Sequence, residues 1–570
     1  MNAGLARRLL PFLNWPRIDV KTIYIDLIAG VTAAFLAIPQ SLAYAQLAGV
    51  PPYYGLYAAI FPAIVGILWG SSALLMTGPV AITSLLTAAS VGHIAISGSA
   101  EFITYVTLLS LIAGLIQFGM GVARVGVLLN LLSHPVLLGF VNAAALVIAF
   151  SQLPAVTGID VPRSDSFMAD VGHLLARLET ASLWSVASCI LALALLVAFR
   201  RLAPRWPGVL ITIGLLTWLS QVTGFAQHGG QVVGAIPAGI PGLSVPAMSW
   251  DAVMDLLPAA LVIALVSFTE AMSSCKVIAV KTRTGWDENQ ELIGQGLAKV
   301  MAAFCNSMPV SGSFARSALN LASNARTGLS SVFAATFILL TLLYFSPLLY
   351  YVPKPALAAI VMMSVVNLLN FEGMRNAWRA SRDDGVAAIL TLVATLAFAP
   401  NIQNGILAGL LFSLGAFIYR RMAPHIVLVG SSRDGVPRDT DTSLPALPDT
   451  IAAIRFDAAL FFANAAFFED GVLELERDNP RLKTILVLAH GINILDSSAV
   501  EMLRSLVRNL RDRGISLVFC GAKRRVLDVI ERTGLMKEMG AVNFFDSEAA
   551  ALKALMGQVD GREAESGSKT

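Results

Sequence analysis

Apolar runs long enough to cross a hydrocarbon core of about 30 Å, which takes about 20 helical residues, begin near Ile23, Tyr53, Phe102, Pro135, Ser182, Gly208 and Ala252. Similar runs begin near Leu329, Ala356, Gly385 and Ile402. A weaker helical stretch from Glu291 to Asn306 fills the gap between two of the later runs. Two shorter stretches interrupt the pattern, TGPVAITSLLTAAS at Thr77–Ser90 and SMPVSGSFARSALN at Ser307–Asn320. Counted as half-spans, they bring the total to about fourteen segments, arranged as seven plus seven.

The interruptions put proline, glycine, hydroxyl groups and an arginine at membrane depth. A backbone broken there leaves amides and carbonyls unpaired, which is tolerated only against protein or a water-filled cavity. Pro79 and Pro309 lie 230 residues apart (309 − 79), and so do the intramembrane polar residues Gln40 and Glu270 (270 − 40). A shared offset between two pairs of polar anomalies predicts an inverted repeat with its binding site where the broken segments face each other. Facing half-helix N-termini present free amides and partial positive charge, which suits an anion. Arg316 is expected about two turns into the second break, lending positive potential to the chamber rather than snorkelling to the inner surface.

Composition fits a polytopic membrane protein: 56% of the 570 residues are hydrophobic and 14% charged. A net charge of +3 without a basic stripe gives no support to nucleic-acid binding. Charge sets topology instead. Arg7, Arg8, Arg17, Lys21, Arg124, Arg200, Arg201, Arg205, Lys281, Arg283, Arg375, Arg379, Arg382, Arg420 and Arg421 fall in the loops of one side; Gln221–Asp255 on the other carries no Lys or Arg, and Arg163 and Arg177 are exceptions there. The positive-inside pattern places both termini in the cytoplasm; the membrane expected is a bacterial inner membrane. The N-terminal stretch lacks the long apolar core and cleavage site of a signal peptide. The four cysteines show no CxxC spacing, so neither a disulfide framework nor a metal site is expected. No GxxxxGK[ST] loop and no nucleophile–base pair occurs, so neither an enzyme nor a bound cofactor is expected.

Beyond Arg421 the chain turns polar. Ile451–Phe456, Thr484–Ala489 and Ile515–Cys520 read as strands, and Ser497–Arg513 has helical spacing at Val500, Leu503, Leu506, Val507 and Leu510. Strand, helix, strand predicts a small α/β domain.

Three stretches together resemble the SulP anion permeases, the family that includes prestin and pendrin. PPYYGLYAAIFPAIVGILWGSS at Pro51–Ser72 resembles its signature, VSGSFARSALN its tenth segment, and the region containing ILDSSAVEML its C-terminal STAS domain. The resemblance implies a polytopic α-helical fold of 14 segments, a 7+7 inverted repeat with two half-helices, followed by the STAS-like domain. On that reading, residues 1–22 are a cytoplasmic lead-in, 23–424 the transport domain, 425–450 a linker, 451–557 the STAS-like domain and 558–570 a disordered tail. It further implies a homodimer whose core moves like an elevator against a gate. Family binding positions carry over onto Gln40, Tyr44, Gly78, Pro79, Val80, Ser311, Gly312, Ser313 and Arg316. Many members have Ser where this chain has Ala315, so one hydroxyl ligand is missing. In related anti-sigma antagonists the second serine of DSSG is phosphorylated; here that is Ser498, a candidate regulatory site for a cytoplasmic partner, with Ala499 in place of Gly.

Residue chemistry points the same way. Gln40 and Tyr44 are four apart and stack on one helical face. Glu270 is a carboxylate in an apolar span, either a proton or cation coupling group or a structural glutamate paired with Arg316 or Lys276. The leading expectation is a secondary transporter of small anions, sulfate or a related oxyanion, coupled to protons or sodium. Bicarbonate or dicarboxylate transport is the alternative within the fold. A nucleobase permease, or an anion channel with a regulatory STAS scaffold, ranks below both.

Overall fold

A computed structural model describes residues 10–126, 133–159, 167–203, 206–237, 239–366, 368–399, 401–422, 424, 426–429 and 447–567. It divides into two compact units, Met1–Ser413 and Leu414–Thr570, and the boundary falls inside the last apolar helix.

The first unit is helical. Its first half contains α1 (Val20–Ala48), α2 (Tyr53–Ala58), α3 (Phe61–Trp69), strand β1 (Thr77–Gly78), α4 (Ala81–Val91), α5 (Ala100–Val122), α6 (His134–Ser151), α7 (Leu183–Leu202) and α8 (Gly208–Val222). Its second half contains α9 (Trp250–Thr282), α10 (Glu288–Phe304), strand β2 (Ser311–Gly312), α11 (Phe314–Ala322), α12 (Leu329–Tyr344), α13 (Lys354–Val366), α14 (Phe371–Ala380), α15 (Arg382–Ala397) and α16 (Gln403–Met422). Among the described residues, seven helical segments are long and apolar enough to span a membrane. The chain is an integral membrane protein.

Local chemistry sets the helix ends. Asp19 Oδ1 accepts the Thr22 N–H (2.7 Å) to start α1, and Gly49, at φ 82°, ends it. Asp287 Oδ1 caps α10 by accepting from Asn289 and Gln290. Close crossings rest on small residues: a Cβ on Gly114 of α5 would lie 2.8 Å from the Gly296 carbonyl of α10, and the reverse distance is also 2.8 Å. Backbones this close gain packing that lipid cannot replace.

The repeat is visible in the breaks. β1 and β2 pair antiparallel, Thr77 with Gly312 and Gly78 with Ser311, and the half-helices α4 and α11 begin at Ala81 and Phe314. The offset here is therefore 233 (314 − 81), not 230, although α1 and α9 do begin 230 apart (250 − 20). Three extra residues precede the second break, so Pro79 and Pro309 are not equivalent. Gly78 and Ser311 are equivalent at this offset (311 − 78), and they pair with each other, as residues on a pseudo-two-fold axis must.

The second unit carries a five-stranded sheet in the order β3 (Ile426–Val429), β4 (Ile451–Phe456), β5 (Thr484–Leu488), β6 (Ser516–Cys520) and β7 (Phe544–Phe545). β3 is antiparallel to β4 and the rest are parallel. Helices α17 (Ala465–Asp478), α18 (Ser497–Asp512), α19 (Arg524–Arg532) and α20 (Leu535–Met539) accompany it. Phe456, Phe468, Leu503, Leu506 and Phe519 form its core. The expected linker lies mostly outside the described residues, but its start, Ile426–Val429, is strand β3. Of the stretch expected to be a disordered tail, 558–567 continues α21 (Glu548–Gly567), and 568–570 lie outside the described residues.

Candidate functional site

The two breaks form one buried cluster. Ser313 N–H donates to Met76 O (2.8 Å), and the alternation of an antiparallel ladder then makes Gly78 and Ser311 the hydrogen-bonded pair. The amides of Gly78, Ser311 and Ser313 are thus consumed by the fold. The free donors lie just beyond them. Val80, the N-cap of α4, has no side-chain acceptor, so the amides of Ala81, Ile82 and Thr83 have no partner among the described residues. Ser313 Oγ caps the Arg316 N–H (3.4 Å), leaving the amides of Phe314 and Ala315. Five amides from two opposed helix starts therefore converge beside the strand pair, an anion-binding arrangement by dipole and hydrogen bonding alike.

Arg316 is not two turns in. Because Ser313 is the cap, Arg316 sits in the first turn of α11, buried rather than snorkelled, and its Nη2 donates to Pro79 O of the opposite break (2.9 Å). Gly78 makes room for it: a Cβ there would lie 2.9 Å from Nη2. The remaining guanidinium donors, the buried Nε among them, have no partner among the described residues. Ser311 Oγ is committed to Ser267 O (2.6 Å). Farther along α11, Ser317 Oγ accepts from Met76 N–H (2.9 Å) and Asn320 donates to Leu74 O (3.2 Å).

Glu270 lies on α9, within electrostatic reach of Arg316 and Lys299. Its carboxylate forms no ion pair among the described residues, and Oε2 is buried without a hydrogen bond. The paired reading with Lys276 fails on exposure, because Lys276 points outward. Tyr44 is buried beside Ser364 of α13 and within electrostatic reach of Arg316 and Glu270. Gln40 is buried and its Oε1 has no donor, so nothing fixes which end of the amide faces inward. Gln40 also lines a cavity of about 280 Å3 with Phe199, Arg200, Trp206, Met363 and Ser364. The cluster therefore brings together Tyr44, Gly78, Pro79, Ser311, Ser313, Arg316 and Glu270. Gly312 and Val80 contribute backbone only, and Gln40 opens onto the adjacent cavity.

Sequence reasoning missed the polar groups behind this cluster. Gln295 of α10 donates to Thr77 Oγ1 (2.9 Å) and Glu291 Oε1 (3.0 Å), and Glu291 Oε2 accepts the N–H groups of Ser71 and Ser72 (2.9 Å each). Lys299 and Gln117 hydrogen-bond at 2.7 Å, both buried. A glutamine inside the apolar run of α5 and a lysine in AKVMAAF were the available signals. In the second unit, Ser498 is exposed in the first turn of α18, where Asp496 caps by accepting the Ala499 N–H (2.9 Å).

Comparison with known proteins places this geometry in context. Residues 23–395 match the model of the Sulfate permease family, and residues 446–551 that of the STAS domain. The chain is 33% identical over 546 residues to the Probable sulfate transporter 4.2 of Arabidopsis thaliana, covering 91% of this chain and 79% of that protein. It is 31% identical over 557 residues to the Probable sulfate transporter MT1781 of Mycobacterium tuberculosis (strain CDC 1551 / Oshkosh), covering 97% and 98%. Among solved structures, that of SLC26A9 superposes with a TM-score of 0.90 at 20% identity over 98% of this chain and 94% of that one. The transmembrane domain of the cyanobacterium bicarbonate transporter BicA gives 0.59 at 21%, over 70% and 99%.

Proposed function

The chain belongs to the sulfate permease family, a family of transporters rather than enzymes, and from that premise we propose that it is a secondary transporter of sulfate or a related oxyanion. The observation that carries this reading is the convergence of five amides with the remaining donors of Arg316, opposite the Glu270 carboxylate, all without partners among the described residues. An oxyanion offers several acceptors and negative charge, and the site offers donors and positive potential.

Glu270 supplies the coupling. Deprotonated, it repels a neighbouring anion; protonated, it donates a hydrogen bond to one. Proton and anion then favour each other's binding, and the coupling is reciprocal. Sodium is the alternative coupling ion. A fixed carboxylate beside the path is unfavourable for a simple anion channel. Elevator-type alternating access fits the cross-linked breaks, which form one body, while α7, α8 and α13 line the cavity on the far side of Gln40. The reading includes a homodimer in a bacterial inner membrane, both termini cytoplasmic, with regulation through the STAS domain at Ser498. Bicarbonate and dicarboxylates are the rival substrates.

Uptake into proteoliposomes of sulfate, bicarbonate, succinate and uracil, under imposed proton or sodium gradients, tests this. Sulfate uptake should rise with an inward proton gradient. In the Glu270→Gln protein, anion binding should persist while uptake no longer responds to that gradient. A Gln variant that still responds as the parent does would remove Glu270 from the coupling role, and dependence on sodium alone would replace the proton.

A further inference from the structure

Lys299 of α10 is completely buried, and among the described residues its ammonium has one hydrogen-bond acceptor, Gln117 Oε1 at 2.7 Å. That bond fixes the Gln117 amide, so Nε2 donates to Ala264 O (2.7 Å) and Ser267 Oγ (3.3 Å) of α9. Ser267 O in turn accepts from Ser311 Oγ of β2 (2.6 Å). The ammonium is thus held rigidly behind the anion site, one bonded step at a time, without entering it. Among the described charged groups on the elements packed around it, only Glu270 is within electrostatic reach. Glu291, eight residues earlier on the same helix, is bonded to the neutral groups of Ser71, Ser72 and Gln295, and whatever charge it carries acts on the site alike with and without the lysine.

A buried cation needs compensating charge, because removing it from water is costly. The site holds two cations, Lys299 and Arg316, and one carboxylate, Glu270. With Glu270 ionised their net charge is +1; with Glu270 protonated it is +2. A bound dianion neutralises the second state, whereas a monoanion leaves one positive charge uncompensated in a low-dielectric setting.

We propose that Lys299 determines charge selectivity, setting the site for dianions over monoanions of the same shape. The proposal rests on the anion lying between the starts of α4 and α11. Coulomb energy is proportional to ligand charge at any distance. Neutralising Lys299 therefore costs a dianion the square of the factor it costs a monoanion: about tenfold on one goes with about a hundredfold on the other.

Sulfate and perchlorate, both tetrahedral and differing in charge, are the probes. Displacement of labelled sulfate is measured with each at one fixed pH in the protein that keeps Glu270, because that carboxylate is the charge that compensates the buried ammonium. Lys299→Met, matched in length, should weaken sulfate by the square of the factor for perchlorate. Gln117→Glu, which keeps the side-chain shape and cancels the ammonium's field, should weaken sulfate more than perchlorate in the same way, and it carries the test if Lys299→Met does not fold. Equal losses for the two ions, or no loss, would overturn the inference. Ser313→Leu is the arm for the site itself: unchanged displacement there would show that the anion binds elsewhere and would take this inference with it. A Ser313→Leu loss combined with equal losses at Lys299 leaves the site standing and defeats only the role of the lysine.

Discussion

Gly78→Ala tests whether the two breaks are held together through Arg316. The new Cβ would lie 2.9 Å from Nη2, 3.0 Å from Nη1 and 3.2 Å from Cζ. Ordinary contact begins at about 3.5 Å, so the guanidinium must retreat by about 0.5 Å. Its 2.9 Å bond to Pro79 O then stretches, along the bond direction, to about 3.4 Å, where a hydrogen bond is much weakened. A hydrogen bond from a charged donor contributes about 1.5 to 3 kcal/mol, so Gly78→Ala should destabilise the protein by at least that much. Arg316→Met removes the fork the methyl group collides with, and in that background the Gly78→Ala cost should fall by about 1.5 to 3 kcal/mol. Any backbone cost of alanine at φ 157° is common to both backgrounds and cancels. Equilibrium unfolding of the four purified proteins in detergent measures the cycle. A coupling under about 0.5 kcal/mol, the level expected of independent sites, would refute the direct contact.

Ser313→Leu should lower sulfate affinity more than about tenfold, since it removes the α11 cap and fills the mouth between the helix starts; calorimetry on the folded variant measures this. Asp26→Ala should cost at least about 3 kcal/mol in the same unfolding assay, because the Asp26 carboxylate accepts the Arg326 N–H (2.7 Å), the Thr327 N–H (3.1 Å) and the Thr327 hydroxyl (2.5 Å), all of which would lose a partner. A chain ending at Pro424 should keep its sulfate affinity, because every residue of the cluster precedes the second unit; loss of binding in a folded, inserted truncation would count against that division.

What the sequence made legible was whatever breaks a rule of the bilayer. Pro, Gly and Ser in apolar runs located both half-helices, and Glu270 and Arg316 stood out because charge is costly there. Less legible was anything depending on which of several equivalent residues wins a local contest. Ser311 and Ser313 are both competent caps, and only the pairing of Ser311 with Gly78 decides that Ser313 starts α11 and that Arg316 falls in its first turn. The two proline landmarks were persuasive for the same reason and misplaced the repeat by three residues at the breaks. Lys299 was passed over because α10 lies in a weakly apolar stretch, where a polar residue breaks no rule; Gln117 lies in the apolar run of α5, and as an uncharged residue it stands out less than Glu270 or Arg316. β3 escaped because a four-residue edge strand is defined by its distant partner β4 rather than by its own pattern.

The asymmetry between the breaks follows from one cap. Val80 cannot cap α4, so the first break keeps three free amides; Ser313 caps α11, so the second keeps two and adds the Arg316 side chain in exchange. On the proposed reading one half would recognise an anion by hydrogen bonding and the other chiefly by charge, an arrangement a strictly symmetric pair would not produce. The halves are nonetheless inseparable. Separating them would break the β1–β2 pair and the links Arg316 to Pro79, Ser317 to Met76, Asn320 to Leu74 and Gln295 to Thr77. Each orphaned buried group costs about 1 to 3 kcal/mol, so the sum exceeds the few kcal/mol that separate functional conformers. Any conformational change that exposes the site to one side and then the other must therefore carry both breaks together.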